Sequence, residues 1–355
     1  MDVIFDTKSL YYLPQYLPVY NELCKLGIKS TFVFYDGVHN DVINKIISDE
    51  KLQHFWVKDE EKAAAYYEER KADWVFFSNT FHYLDRVHKV SKTAQMAHGI
   101  GPKTSYYTQS SRPMGVRFVE GAYRTQRLRE MFPNDVFVDV GFCKLDPIFN
   151  GEISDISLSE TYGLKDDFPT ILYAPTFYPS SIECFPADWP AEFKDFNIII
   201  KPHYFSLSKS KYYKQQALLK TWSEFDNVYL AKVEDYSLVP FLSISDVLVS
   251  DASSSLFEFA LLNKPVIWCD FLKLRLGYRG IFSYRFKKRM DKDYGDYSNI
   301  AVHAKKYENL KSLIVQQLDN PEEFESIRLE MSEKLAGKVD GSASKRIVEY
   351  VMSNI

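Results

Sequence analysis

The chain has 355 residues, 46% hydrophobic and 26% charged, which is enough to bury a sizeable core and long for a single one. Its 44 basic against 48 acidic side chains give a formal net charge of -4, so bulk electrostatics do not argue for nucleic acid. Cys24, Cys143, Cys184 and Cys269 form no CxxC pair, and the N-terminal stretch has neither a basic n-region nor an apolar h-region, so a reducing cytoplasm is expected.

Short apolar runs alternate with helix-like stretches along most of the chain. In the first half the expected strands are 3–5, 30–35, 54–57, 74–77, 93–98, 116–120 and 136–141, with helices at 15–26, 38–49 and 59–71. The polar stretch "GFCKLDPIFNGEISDISLSETYGLKDDFP" then breaks the pattern, and a domain boundary is placed near residue 150. Strands are expected again at 170–175, 196–203, 227–231, 246–250 and 265–270, with helices near 209–222, 237–243 and 254–262 between them. From 304 onward the chain reads as three helices. Buried strands alternating with helices predict an α/β chain of two doubly wound, Rossmann-like parallel-sheet domains, residues 1–150 and 151–340, facing each other across a cleft. A last helix, 341–355, is expected to pack back on the first domain.

Ligands of open α/β sheets sit at the carboxyl ends of strands, which directs attention to the residues there. In "MAHGIGPK", His98 ends a predicted strand, Gly99 allows close backbone approach, and Lys103 offers a phosphate partner. In "IIIKPHYF", Pro202 stops a buried strand and leaves Lys201 and His203 at its end; imidazole suits proton transfer near neutral pH. In "DASSSLFEF", Ser255 and Glu258 fit a helix capping box, which leaves Ser253 and Ser254 as donors for an anion at the helix start. Thr176 in "YAPTFYPSS" and Lys144 with Asp146 in "GFCKLDPIF" complete the strand-end candidates. Each motif alone is equally a polar turn or cap; their coincidence at strand ends carries the argument. No carboxylate cluster or His/Cys spacing calls for a metal, and no cofactor is expected.

The segments "HGIGPK", "GFCKLD", "YAPTFY", "KPHY", "DASSSLFEFALLNKP" and "DGSASKRI" follow one another over about residues 93–350. In that order they resemble the CDP-glycerol glycerophosphotransferases of teichoic acid and capsule synthesis. The resemblance implies a GT-B fold, with an N-terminal acceptor domain and a C-terminal nucleotide-binding domain. It implies transfer of a polyol phosphate from a CDP-activated donor to a hydroxyl of a lipid-linked polymer. By position His98 matches the histidine base, and His203 a histidine near the donor phosphates. Asp251 and Ser253 to Ser255 match the donor segment, and Lys144 and Asp146 an interdomain motif. Tyr178, Tyr204 and Ala252 stand where the family carries arginine, proline and tyrosine. The donor therefore stays open among CDP-glycerol, CDP-ribitol and a CMP- or UDP-sugar, the last pointing to a GT-B glycosyltransferase. A non-catalytic nucleotide-sugar-binding protein is the reading of another class. The basic, aromatic segment 273–290, with Lys273, Arg275, Arg279 and Arg285 among its cations, is a candidate surface for anionic lipid at the inner face of the cell membrane.

Overall fold

A computed structural model describes residues 1–37, 39–97, 99–101, 107, 113–251, 253–274 and 297–355. His98, Lys103, Ala252 and the basic residues 275–290 lie outside the described residues. The chain divides into two compact units: Met1–Ile100, Ser105–Glu152 and Glu333–Ile355 make the first, and Gly101–Thr104 with Ile153–Ser332 the second.

The first unit holds β1 (Asp2–Thr7), β2 (Lys29–Tyr35), β3 (His54–Val57), β4 (Trp74–Phe77), β5 (Lys92–Met96), β6 (Val116–Val119) and β7 (Phe137–Asp139). Among the described residues they form one parallel sheet in the order β3-β2-β1-β4-β5-β6-β7. β1 and β4 carry apolar residues on both faces (Val3, Ile4 and Phe5; Val75 and Phe76), all fully buried, as a strand covered by helices on both sides requires.

The second unit holds β8 (Thr170–Tyr173), β9 (Asn197–Ile200), β10 (Val228–Leu230), β11 (Val247–Ser250), β12 (Val266–Cys269) and β13 (Val302–Ala304). These too are parallel, in the order β10-β9-β8-β11-β12-β13. On one face of this sheet Tyr173 of β8 packs with Phe185, Trp189 and Trp222, the four rings lying 4.6–6.3 Å apart. In each sheet the strand order reverses between two neighbours, β1 and β4 in the first and β8 and β11 in the second. A crevice opens at the carboxyl end of such a pair.

The C-terminal helix Ala343–Ser353 belongs to the first unit and packs on the helix Leu13–Lys25. Its start is held by a residue about 200 positions earlier in the chain. The Asp146 carboxylate accepts from the backbone N–H groups of Ser344 at 2.7 Å and Ala343 at 3.3 Å, and from the Ser344 hydroxyl at 2.6 Å. Burial pushes the Asp146 pKa up, against the pull of these hydrogen bonds. Lys144 is also buried in this unit. Two of the sequence motifs, "GFCKLD" and "DGSASKRI", thus meet as structural partners inside one unit. Ser344→Ala removes one charge-assisted bond and is expected to cost about 2 kcal/mol, read as a lowered denaturant midpoint. An unchanged midpoint would show that this contact does not hold the helix.

Among the described residues, no helix is long and apolar enough to cross a membrane. Nor, among those residues, does any group of three or more His, Cys, Asp or Glu side chains gather in a way that could hold a metal ion.

Candidate functional site

The switch point of the second unit joins the ends of β8 and β11. Apolar strand residues deliver Ala174, Pro175 and Thr176 from β8 and Asp251 from β11 to the same edge. Asp251 is fully buried, and its carboxylate organises the loop that follows β8. Oδ1 accepts from the backbone N–H of Thr176 at 2.8 Å; Oδ2 accepts from the backbone N–H and hydroxyl of Ser181, both at 2.9 Å. A buried carboxylate is tolerated only with such donors around it. The Ser181 hydroxyl also meets the Tyr173 phenol at 2.8 Å, and burial, with Asp251 nearby, drives that phenol's pKa well above its ordinary value.

Serines bind the strand ends together a second time. The Ala174 carbonyl accepts from the Ser250 hydroxyl at 2.6 Å and from the Ser255 hydroxyl at 3.3 Å. This corrects the expected capping box. The helix runs Ser255–Ala260 with Ser254 at its N-cap, and no side-chain bond caps it from that position. Ser255 is buried and its hydroxyl turns to β8; Ser253 Oγ instead accepts the Ser255 N–H at 3.3 Å. Glu258 is likewise buried. With six residues the helix supplies little macrodipole. Ser253 and Ser254, both half-buried, stand at its start.

Lys201 and His203 follow β9, the strand paired with β8, and both are half-buried. His203 precedes the helix Tyr204–Ser208, and its Nδ1 accepts the Phe205 backbone N–H at 3.1 Å. A neutral ring so engaged carries its hydrogen on Nε2, which makes that nitrogen a donor. The rings of Phe177 and Phe205 lie 4.6 and 5.0 Å from the imidazole and fix its plane.

The structure thus brings Thr176, Lys201, His203, Asp251 and Ser253 to Ser255 to the carboxyl ends of three neighbouring strands of one unit. Gly99, Lys144 and Asp146 lie in the other unit, Gly99 buried just beyond β5. Ser180 and Ser181 were not singled out from the sequence as site residues. Their only signal is a pair of hydroxyls after a strand end, because the carboxylate they serve lies about 70 residues away.

Among curated proteins, the chain is 33% identical over 136 residues to a teichoic acid glycerol-phosphate primase of Bacillus spizizenii, covering 38% of this chain and 34% of the relative. It is 25% identical over 296 residues to a teichoic acid poly(ribitol-phosphate) polymerase of the same organism, covering 76% of this chain and 44% of the relative. The chain therefore spans less than half the length of either relative. Among solved structures, the wall teichoic acid polymerase TagF, in a form soaked with CDPG, superposes with a TM-score of 0.69 at 18% identity, covering 99% of this chain and 88% of that one. A UDP-GlcNAc 2-epimerase of Neisseria meningitidis superposes with a TM-score of 0.63 at 16% identity, covering 99% and 100%. At these identities the likeness shows the fold, which is of the GT-B type. The family model described as CDP-Glycerol:Poly(glycerophosphate) glycerophosphotransferase matches residues 56–353, the greater part of the chain, and the chain belongs to that family.

Proposed function

We propose that this protein transfers a glycerol phosphate, or a related polyol phosphate, from a CDP-activated donor to a hydroxyl of a lipid-linked teichoic acid or capsule-type polymer, working at the inner face of the cell membrane. The observation that carries this reading is the β8/β11 switch point, where Asp251 braces two strand ends and Ser253, Ser254, Lys201 and His203 stand around them. Family membership supports a CDP-activated donor.

In the reaction the acceptor oxygen attacks the phosphorus that bears the polyol. The phosphoanhydride bond breaks and CMP leaves with the electron pair. Charge therefore grows on the leaving phosphate, and preorganised donors aimed at that charge lower the barrier. Lys201 and the hydroxyls of Ser253 and Ser254 suit this role. His203 suits it as well, and its tautomer makes it a donor to the phosphate, with no part as the base. The base that takes the hydroxyl proton is assigned to His98, which follows β5 in the sequence.

The test is a thermal-shift and turnover panel of CDP-glycerol, CDP-ribitol, CMP-sugars and UDP-sugars. CDP-polyols should raise the melting temperature, since a ligand bound only by the folded state stabilises it. His203→Ala should lower turnover about a hundredfold while CDP-glycerol still stabilises the protein. Stabilisation by UDP-sugars alone would replace this reading with that of a glycosyltransferase. Binding without turnover of any donor would replace it with a nucleotide-sugar-binding protein.

A further inference from the structure

The imidazole of His203 and the rings of Phe177 and Phe205 form a triangle with sides of 4.6, 5.0 and 5.2 Å between centroids. Phe177 belongs to the loop that follows β8, and Phe205 to the helix Tyr204–Ser208. Neither support is stiff by itself. The loop is irregular, and a helix of five residues leaves its last carbonyls without partners inside it.

The next helix, Tyr213–Trp222, ties both supports down through two neighbouring amides. Gln215 is buried, and its Nε2 donates to the Phe177 carbonyl at 3.1 Å and to Glu183 Oε1 at 3.3 Å. The half-buried Gln216 donates from Nε2 to the carbonyls of Leu207, Ser206 and Lys209 at 3.0, 3.2 and 3.3 Å. Consecutive helical residues point about 100° apart, so the pair reaches two different elements. Only acceptors face each amide nitrogen, which settles the orientation of both amides. Gln215 Oε1 finds no partner among the described residues. A buried acceptor without a partner costs stability, so stability alone does not account for an amide at this position.

We propose that Gln215 and Gln216 are positioning residues for the transfer, holding the His203 imidazole in one orientation and one tautomer. Their effect on turnover rests on the transferase reading above; their hold on the ring rests on this geometry alone. Gln216 steadies the helix that carries the Phe205 N–H, which His203 Nδ1 accepts at 3.1 Å. Gln215 steadies the backbone of Phe177, against whose ring the imidazole packs. With either amide gone the ring is free to turn, and Nε2 no longer presents its hydrogen in one direction. A donor stabilises developing charge best when it is aimed before the charge appears, so that freedom lowers the rate.

The experiment follows the ring nitrogens of the full chain by NMR after labelling its histidines with nitrogen-15, at a pH where the imidazole is neutral. Comparison with His203→Ala identifies the His203 signals. In the unaltered protein they should be those of a single tautomer with its hydrogen on Nε2. In Gln215→Met and Gln216→Met the two nitrogen signals should move toward each other as tautomers mix. Turnover of CDP-glycerol should fall about tenfold in kcat while KM changes less than about twofold. Gln216→Lys again offers donors to the same carbonyls, and should keep the parent's signals and kcat. A merely structural amide would not give this pattern of loss and rescue at the ring. If Gln215→Met fails to fold, the half-buried Gln216 decides. Unchanged ring signals in Gln216→Met, or moved signals with unchanged kcat, overturn the proposal. Absence of turnover with every CDP-polyol in the unaltered protein overturns the transferase reading, and the ring signals still decide whether the two amides hold His203.

Discussion

Asp251→Ala is expected to destabilise the protein by about 4 kcal/mol and to abolish stabilisation by CDP-glycerol. The carboxylate receives the Thr176 N–H and both the N–H and hydroxyl of Ser181, all buried. Removing it leaves these three donors, and the Ser180 hydroxyl at 3.5 Å, without that acceptor, each of the close ones costing about 1–3 kcal/mol, partly recovered where water can enter the space. The loop after β8 then loses its anchor, and the strand-end edge that presents Lys201 and His203 loses its shape. Ser181→Ala, which deletes one hydroxyl and leaves the carboxylate in place, should cost about 1 kcal/mol. Urea unfolding of both variants checks the pair. A cost for Asp251→Ala no greater than that for Ser181→Ala would refute the bracing role.

Asp6 should make stability depend on pH in the direction opposite to that of an ion-paired carboxylate. It is buried at the end of β1, and burial raises its pKa from 3.8 to about 6, although the phenols of Tyr35 and Tyr67 both donate to Oδ2 at 2.6 Å. The folded protein therefore holds a proton that the unfolded chain has already lost. Stability from this group is complete below about pH 4 and falls as pH rises toward 6. A shift of about two units corresponds to about 3 kcal/mol. Asp6→Asn cannot titrate, so the stability of the variant relative to the parent should rise by about that amount between pH 4 and pH 6.5. Urea midpoints across this range test it, and a difference independent of pH would refute the assignment.

Much of the fold was legible because parallel strands covered on both faces leave unbroken apolar runs. The stretch "IIIKPH" and the stretch "VLVSD" declared both the strands and the residues at their ends. β13 escaped because Val302–Ala304 is a three-residue edge strand whose Val302 and His303 are half-buried, so no apolar run marks it. The helix Ala122–Met131 escaped because two of the three residues it buries, Arg124 and Thr125, are polar, which leaves Leu128 as its one buried apolar mark. At the site, the types of residue were readable but their roles were not. Ser255 meets the capping pattern in sequence, yet the Ala174 carbonyl 81 residues away takes its hydroxyl. Gln215 gave no sign at all, since its meaning depends on Phe177, which reaches it only through the fold.

The route of the chain through the two units bears on how the protein is made. The second unit is drawn almost entirely from one continuous stretch, Ile153–Ser332, while the first waits for Glu333–Ile355 before it is complete. On a ribosome, where domains generally fold as they emerge, the later-encoded unit can finish first. Until the last helix arrives, the Asp146 carboxylate and the surface beside Leu13–Lys25 have no partner from it. Nascent chains stalled before residue 333 should thus hold a protease-resistant second unit and a digestible first one, reversing the order in which the two begin to be synthesised.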